Sequence, residues 1–90
     1  MVKIEASRLA AAFLALHRGN SPEARNAAAA LRPYTERPGQ RVPVPPATLL
    51  RAGRALRQQA RAAAAPQGRD RLVREADFLV GACGGLPVRF

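Results

Sequence analysis

Apolar residues recur at helical spacing in four stretches of the chain. In the first stretch they lie three or four residues apart and share one face: Val2, Ala6, Leu9, Phe13 and Leu16. In the third and clearest stretch, one side is formed by Leu49, Ala52, Gly53, Leu56, Ala60 and Ala63. These patterns predict helices over about residues 4–18, 22–32, 47–65 and 69–83.

Residues typical of helix ends set these boundaries. Gly19 is expected to close the first helix in a left-handed conformation. Ser21 followed by Pro22 is typical of a helix start, because the serine caps the helix and the proline occupies its first position. Residues 66–68 (Pro-Gln-Gly) are expected to separate the third helix from the fourth, and two glycines at 84–85 to end the fourth.

The connection 33–46 differs from the helical stretches. It contains five prolines, a density that excludes an α-helix. We expect an extended strap between two helix pairs, with Val42 and Val44 in a short strand-like stretch on the core. A recognition motif for a proline-binding module is the alternative. The sequence therefore predicts an all-α fold, a compact four-helix domain of two helical hairpins joined by this Pro-rich strap.

Length and composition limit what this domain can be. Ninety residues with 48% hydrophobic content make a single domain over residues 1–90 with a thin core. The longest apolar run, residues 9–16, is followed by His17 and Arg18 instead of a cleavage site, so we interpret it as a helix of the domain. No stretch approaches the roughly 20 apolar residues that span a bilayer. Since Cys83 is the only cysteine, no internal disulfide forms, and a cytoplasmic location is expected.

The net charge of +9 indicates an anionic partner, either nucleic acid or an acidic protein surface. Four arginines of the third helix fall within an arc of about 120° opposite its apolar side: Arg51, Arg54, Arg57 and Arg61. Guanidinium groups pair with phosphate oxygens in a bidentate fashion, and Arg25 and Arg32 of the second helix would extend the patch. The sequence thus favours nucleic-acid binding, with a solvated basic face as the alternative.

Base-specific recognition is not expected. A helix-turn-helix alignment on the first two helices fails because Arg25 falls where a buried aliphatic residue belongs. The second helix is mostly alanine and offers few side chains to base edges. Contacts should therefore go mainly to the phosphate backbone, with little sequence readout.

A protein partner is the second hypothesis. Phe78 lies on the fourth helix between the directions of Arg71 and Arg74, a composition typical of interface hot spots. Another part of the chain covering Phe78 is the alternative. In size and charge the chain resembles the small accessory proteins of phages and mobile elements, which implies a regulator or inhibitor, for example an anti-defence protein, docking on a host enzyme or nucleoprotein complex. A homodimer stays open.

The residue inventory argues against an enzyme. One histidine, one cysteine, one tyrosine and six scattered acids provide no nucleophile beside a base. His17 is interpreted as a capping or packing residue, and Cys83 as a core residue. We therefore predict no catalytic residue, no metal site and no cofactor.

Overall fold

The chain folds into four α-helices and a small two-stranded sheet. This computed structural model describes residues 2–19, 21–36 and 39–83. In chain order the elements are strand β1 (Val2–Glu5), helix α1 (Ala6–His17), helix α2 (Pro22–Leu31), a 3-10 helix (Arg32–Thr35), strand β2 (Arg41–Val44), helix α3 (Pro46–Ala62) and helix α4 (Pro66–Ala82). The fold is mostly helical, as predicted, but it is not strictly all-α.

Strand β1 corrects the predicted start of the first helix. Helix α1 begins at Ala6, two residues after the predicted start. The residues before it pair antiparallel with β2, so that Val2 lies opposite Val44 and Ile4 opposite Val42. Val2 and Ile4 are two residues apart, and in an extended chain this spacing puts both side chains on the face that meets the core. The sequence prediction counted Val2 in the helical stripe because its spacing of four residues from Ala6 is compatible with a helix as well as with a strand.

Three of the four helices begin at a proline. Pro22, Pro46 and Pro66 each occupy the first turn, where the missing N–H costs no hydrogen bond. The residue before a proline is driven to extended backbone, as at Ala65 with φ −91° and ψ 131°. The helix break therefore lies at residues 63–65, and its prediction at residues 66–68 is wrong. The Ser21 cap is confirmed, since its hydroxyl oxygen accepts a hydrogen bond from the amide of Ala24 at 3.1 Å.

The connection 33–46 is extended only in part. Pro33 lies in the 3-10 helix that continues directly from α2, because proline is tolerated in the first turn of a helix. Later in the connection, the prediction for the two valines is confirmed: Val44 is fully buried in strand β2 and Val42 is half-buried against the core. Pro38 and the predicted helix end at residues 84–85 lie outside the described residues.

Gly19 has a different role from the predicted one. The only described residue with a positive φ is Gly39, so Gly19 does not form a left-handed cap. Instead, a Cβ atom at Gly19 would lie 2.6 Å from Oε1 of Gln59 and 2.9 Å from Cβ of Ala24. Glycine is required here because the end of α1 passes so close to α2 and α3 that no side chain fits.

Helix α3 is the central element. It packs most extensively on α4 and also contacts α2 and α1. Its predicted apolar side is buried, including Leu49, Gly53 and Leu56. The largest fully buried side chains of the described residues are six leucines and one valine: Leu9, Leu16, Leu31, Leu49, Leu56, Leu79 and Val44. Close packing of alanine-rich helices around few large side chains is what the composition predicted.

Candidate nucleic-acid interface

Three of the four predicted arginines lie on the outward side of α3. Arg51, Arg54 and Arg61 are exposed, whereas the opposite side of the helix forms the core. At 1.5 Å per residue they extend over about 15 Å of the helix axis. Within the described part of the chain, none of the three forms an ion pair or hydrogen bond. We call these three residues the arginine face.

Arg57 differs from the residues of the arginine face because it has a carboxylate partner. Its Nη2 donates a hydrogen bond to Oδ1 of Asp77 on α4 at 2.5 Å, and 38% of its side chain is exposed. On the same flank of α3, Leu50 packs against the core. This leucine lies among the arginines along the helix, and it is half-buried because α4 covers this flank of α3.

On its other flank, the arginine face borders α2. A shallow groove of about 280 Å³ between α2 and α3 brings Arg51 and Arg54 together with two amide side chains and one carboxylate, those of Asn26, Gln58 and Glu23. Arg25 and Arg32 are exposed but do not line this groove. The structure therefore does not group them with the arginines of α3.

An arginine that the sequence analysis did not single out adjoins the face from α4. Arg69 lines a concavity of about 320 Å³ together with Arg57 and Arg61. Its Nη2 donates a hydrogen bond to the carbonyl oxygen of Ala63 at 3.4 Å. Arg69 lies in the first turn of α4, so a correct position for the helix break would have revealed its proximity to the end of α3.

Phe78 is covered by another part of the chain. It is half-buried against the core, and the guanidinium carbon of Arg8 lies 3.9 Å from the centroid of its ring. The two predicted neighbours, Arg71 and Arg74, are exposed. Of the two interpretations of Phe78 that the sequence left open, the structure supports the covered one. Nothing in the sequence pointed to Arg8, which belongs to a different helix.

Another concave surface lies between α1 and α4, and we call it the α1–α4 groove. It has a volume of about 350 Å³, and its lining comes from three helices: Ala11, Leu14, Ala15, Arg18, Gln59, Gly68, Arg71, Leu72 and Glu75. Leu14 is 52% exposed and is the only large hydrophobic residue counted as exposed among those described. Apart from Arg71, the sequence analysis assigned no function to these residues.

The histidine and the cysteine both pack against other parts of the fold. The ring of His17 stacks on that of Phe13, with centroids 5.6 Å apart, so its predicted packing role is confirmed. Cys83 is buried as predicted, and desolvation raises the pKa of its thiol, which keeps it protonated at neutral pH. Within the described ranges, no three side chains of the His, Cys, Asp and Glu types are grouped so as to hold a metal ion.

Comparison with known proteins gave no match to a protein-family model, a curated protein or a solved structure. In the part of the chain that the structure describes, no helix has the length and apolar character needed to cross a membrane.

Proposed function

We propose that the protein binds the phosphate backbone of nucleic acid through the arginine face, with little readout of base sequence. The observation that carries this proposal is the exposure of Arg51, Arg54 and Arg61 on one side of α3, with no carboxylate paired to any of them within the described residues. Guanidinium groups bind phosphate oxygens through two parallel hydrogen bonds.

The arrangement of the charges supports an anionic ligand. Arg51 and Arg54 are three residues apart on the same helix, and like charges at this spacing repel each other. The net charge of +9 adds to this repulsion. A row of phosphates reduces both the repulsion between neighbouring arginines and the repulsion due to the net charge. Binding also releases counterions from the nucleic acid, which favours it further.

The position of α3 favours contacts to the backbone over contacts to bases. Reading base edges in the major groove requires a helix that enters a groove about 12 Å wide. Because α3 packs on α1, α2 and α4, only its outward strip is accessible. Asn26 and Gln58, which lie beside Arg51 and Arg54, are amide side chains able to pair with a base, so any sequence preference should depend on these two.

The test is a salt titration of binding, measured by fluorescence anisotropy with a random-sequence duplex and with a single strand. If the three arginines neutralise three phosphates, the slope of log affinity against log salt is about −2.7 for the duplex and about −2 for the single strand. A slope near zero, or no binding at about 100 mM salt, contradicts the proposal.

A pair of charge-matched variants locates the contact. Arg54→Glu with Arg61→Glu changes the arginine face, whereas Arg18→Glu with Arg71→Glu makes the same change of charge at the α1–α4 groove. We expect the first variant to lower affinity by about 100-fold and to flatten the slope by about 2, and the second to lower affinity by less than about fivefold. Equal losses of affinity in the two variants would mean that binding depends on net charge and not on the arginine face.

The pairing of the helices, the cellular location and the oligomeric state are also part of the proposal. We infer that α1 with α2, and α3 with α4, act as two helical hairpins, and that the connection 33–46 holds them together. We also infer a cytoplasmic location, because the single thiol is buried and the chain uses no disulfide. Light scattering of the purified protein distinguishes a monomer from a homodimer.

A further inference from the structure

The α1–α4 groove exists because small residues face each other across it. Ala11 and Ala15 line it from α1, and Gly68 lines it from α4. Such side chains cannot fill the space between two helices, and contacts between α1 and α4 are accordingly fewer than those between α3 and α4. The result is a concave surface that is open to a side chain from outside.

The groove offers an apolar contact. Leu14 is 52% exposed, and Leu72 on the opposite wall is half-buried. Burying an aliphatic side chain against these two leucines removes apolar surface from water, which favours association. An apolar residue of a ligand therefore has a place to bind.

Two hydrogen-bond acceptors of the groove have no donor. Oε1 of Gln59 and Oε2 of Glu75 are both buried, and neither accepts a hydrogen bond from any described residue. The amide nitrogen of Gln59 donates to the carbonyl oxygen of Ala15 at 2.7 Å, which fixes the orientation of this side chain. Oε1 of Gln59 packs against Gly19, so the acceptor that a ligand can reach, after a small movement of the side chain, is Oε2 of Glu75. Because a shielded acceptor without a donor costs free energy, a ligand that brings an N–H group to Glu75 is favoured.

The rim of the groove is cationic. Arg18 and Arg71 are exposed and line the groove, and neither has an ion-pair partner among the residues that the structure describes. Carboxylates of a ligand would find charge-assisted hydrogen bonds here. The groove thus combines apolar side chains, an acceptor that needs a donor, and two cations that need anions.

We propose that the α1–α4 groove binds an extended acidic segment of a partner protein. An apolar side chain of the segment packs on Leu14 and Leu72, a backbone N–H group donates to Glu75, and its Asp or Glu side chains pair with Arg18 and Arg71. An extended chain suits the site because its backbone donors are free, unlike those inside a helix. This inference is independent of the proposed nucleic-acid contact, which uses a different surface.

Two other occupants fit the groove less well. A nucleic-acid backbone brings phosphate acceptors but no N–H donor for the shielded acceptor of the groove. A second copy of this chain carries the same charge of +9, so electrostatic repulsion opposes its approach.

The experiment is a selection from a displayed library of random peptides, each about 12 residues long and roughly 40 Å when extended. The full chain is the bait, and the variant Leu14→Glu with Arg71→Glu serves for counter-selection. We expect the enriched peptides to share an apolar residue flanked by Asp or Glu. No enrichment over the counter-selection, or enriched peptides without acidic residues, would overturn the proposal.

Single variants then locate the binding of one enriched synthetic peptide, measured by anisotropy. Leu14→Glu and Arg71→Glu should each weaken binding by at least about tenfold, whereas Arg54→Glu, with the same change of charge on the arginine face, should change it by less than about twofold. Circular dichroism checks that each variant is folded. Equal loss in Arg54→Glu would overturn the groove as the site, as would light scattering that shows a dimer which Leu14→Glu dissociates. Nucleic-acid binding of Leu14→Glu is measured in parallel, so that failure of this inference is distinguishable from failure of the proposed function.

Discussion

The arginine face and the α1–α4 groove carry charge of the same sign but differ in what surrounds it. On the arginine face, exposed guanidinium groups stand on a helix whose apolar side is turned to the core. In the groove, the two arginines border an exposed leucine and two shielded acceptors. Net charge alone would assign both surfaces to the same ligand.

The difference shows that the neighbours of a charge determine its partner. Charges in open solvent select only for charge, so they suit a polyanion of any sequence. Charges beside apolar surface and oriented acceptors select for shape and hydrogen bonding as well, which a protein segment provides. Four substitutions test the packing and pairing on which this difference between the two surfaces depends.

Gly19→Ala should lower the free energy of unfolding by about 2 kcal/mol, because the new Cβ atom would overlap Gln59 and Ala24. Adding Gln59→Ala should restore only part of this loss, since the clash with Ala24 remains. Chemical denaturation measures both variants. Gln58→Ala beside the arginine face is the control and should have little effect. An unchanged stability in Gly19→Ala would mean that the end of α1 is not closely packed against α2 and α3.

Glu75→Met should raise the free energy of unfolding by about 1 kcal/mol, because it removes a buried acceptor that has no donor. The matched change near the arginine face, Glu23→Met, should instead lower stability by a few tenths of a kcal/mol, since Glu23 interacts with the positive end of the α2 dipole. Thermal unfolding of the two variants gives shifts of opposite sign. A loss of stability in Glu75→Met would show that its carboxylate is well paired in the free protein.

Asp77→Asn should strengthen nucleic-acid binding about threefold and steepen the salt slope by up to about 0.9, because it removes the negative charge beside Arg57, which lines one concavity with Arg61 and Arg69. The cost to stability is at most about 1 kcal/mol for an ion pair this exposed. The salt titration described above measures the change. Asp70→Asn on the same helix controls for net charge, and an equal gain in that variant would contradict a specific role for Arg57.

Arg8→Met should lower the free energy of unfolding by about 0.5 kcal/mol, through loss of the cation over the ring of Phe78. Arg54→Met, exposed in the middle of α3, makes the same change of charge away from any helix end; it is the control and should be nearly neutral. Denaturant titrations compare the two variants. Equal stabilities would show that the cation contributes nothing beyond its aliphatic stem.

Local sequence signals predicted much of the fold. The Ser21 cap, the buried side of α3 and the burial of Val44 follow from the order of residues along one segment. The position of the break before Pro66 was also readable, because the preference of the preceding residue for extended backbone is local. The sequence analysis placed it three residues late by treating the proline as part of the turn.

Features that depend on two distant segments could not be predicted in the same way. Strand β1 forms only because β2 is available to pair with it. Asp77 and Arg8 belong to different helices from the side chains that they engage, so the sequence alone assigned Arg57 to the patch and left Phe78 undecided. The α1–α4 groove results from small residues on two helices. An alanine in the sequence does not indicate whether a side chain of another helix will fill the space beside it.

The pairing of β1 with β2 also has a consequence during synthesis. Val2 pairs with Val44, so β1 waits for about forty further residues, roughly 2–8 s at ribosomal rates, before its partner has been made. An unpaired strand with two apolar side chains is prone to pair with other nascent chains in that interval. Lys3 and Glu5, exposed and alternating with Val2 and Ile4, place a charge at every second position of this strand and so discourage such pairing until β2 arrives.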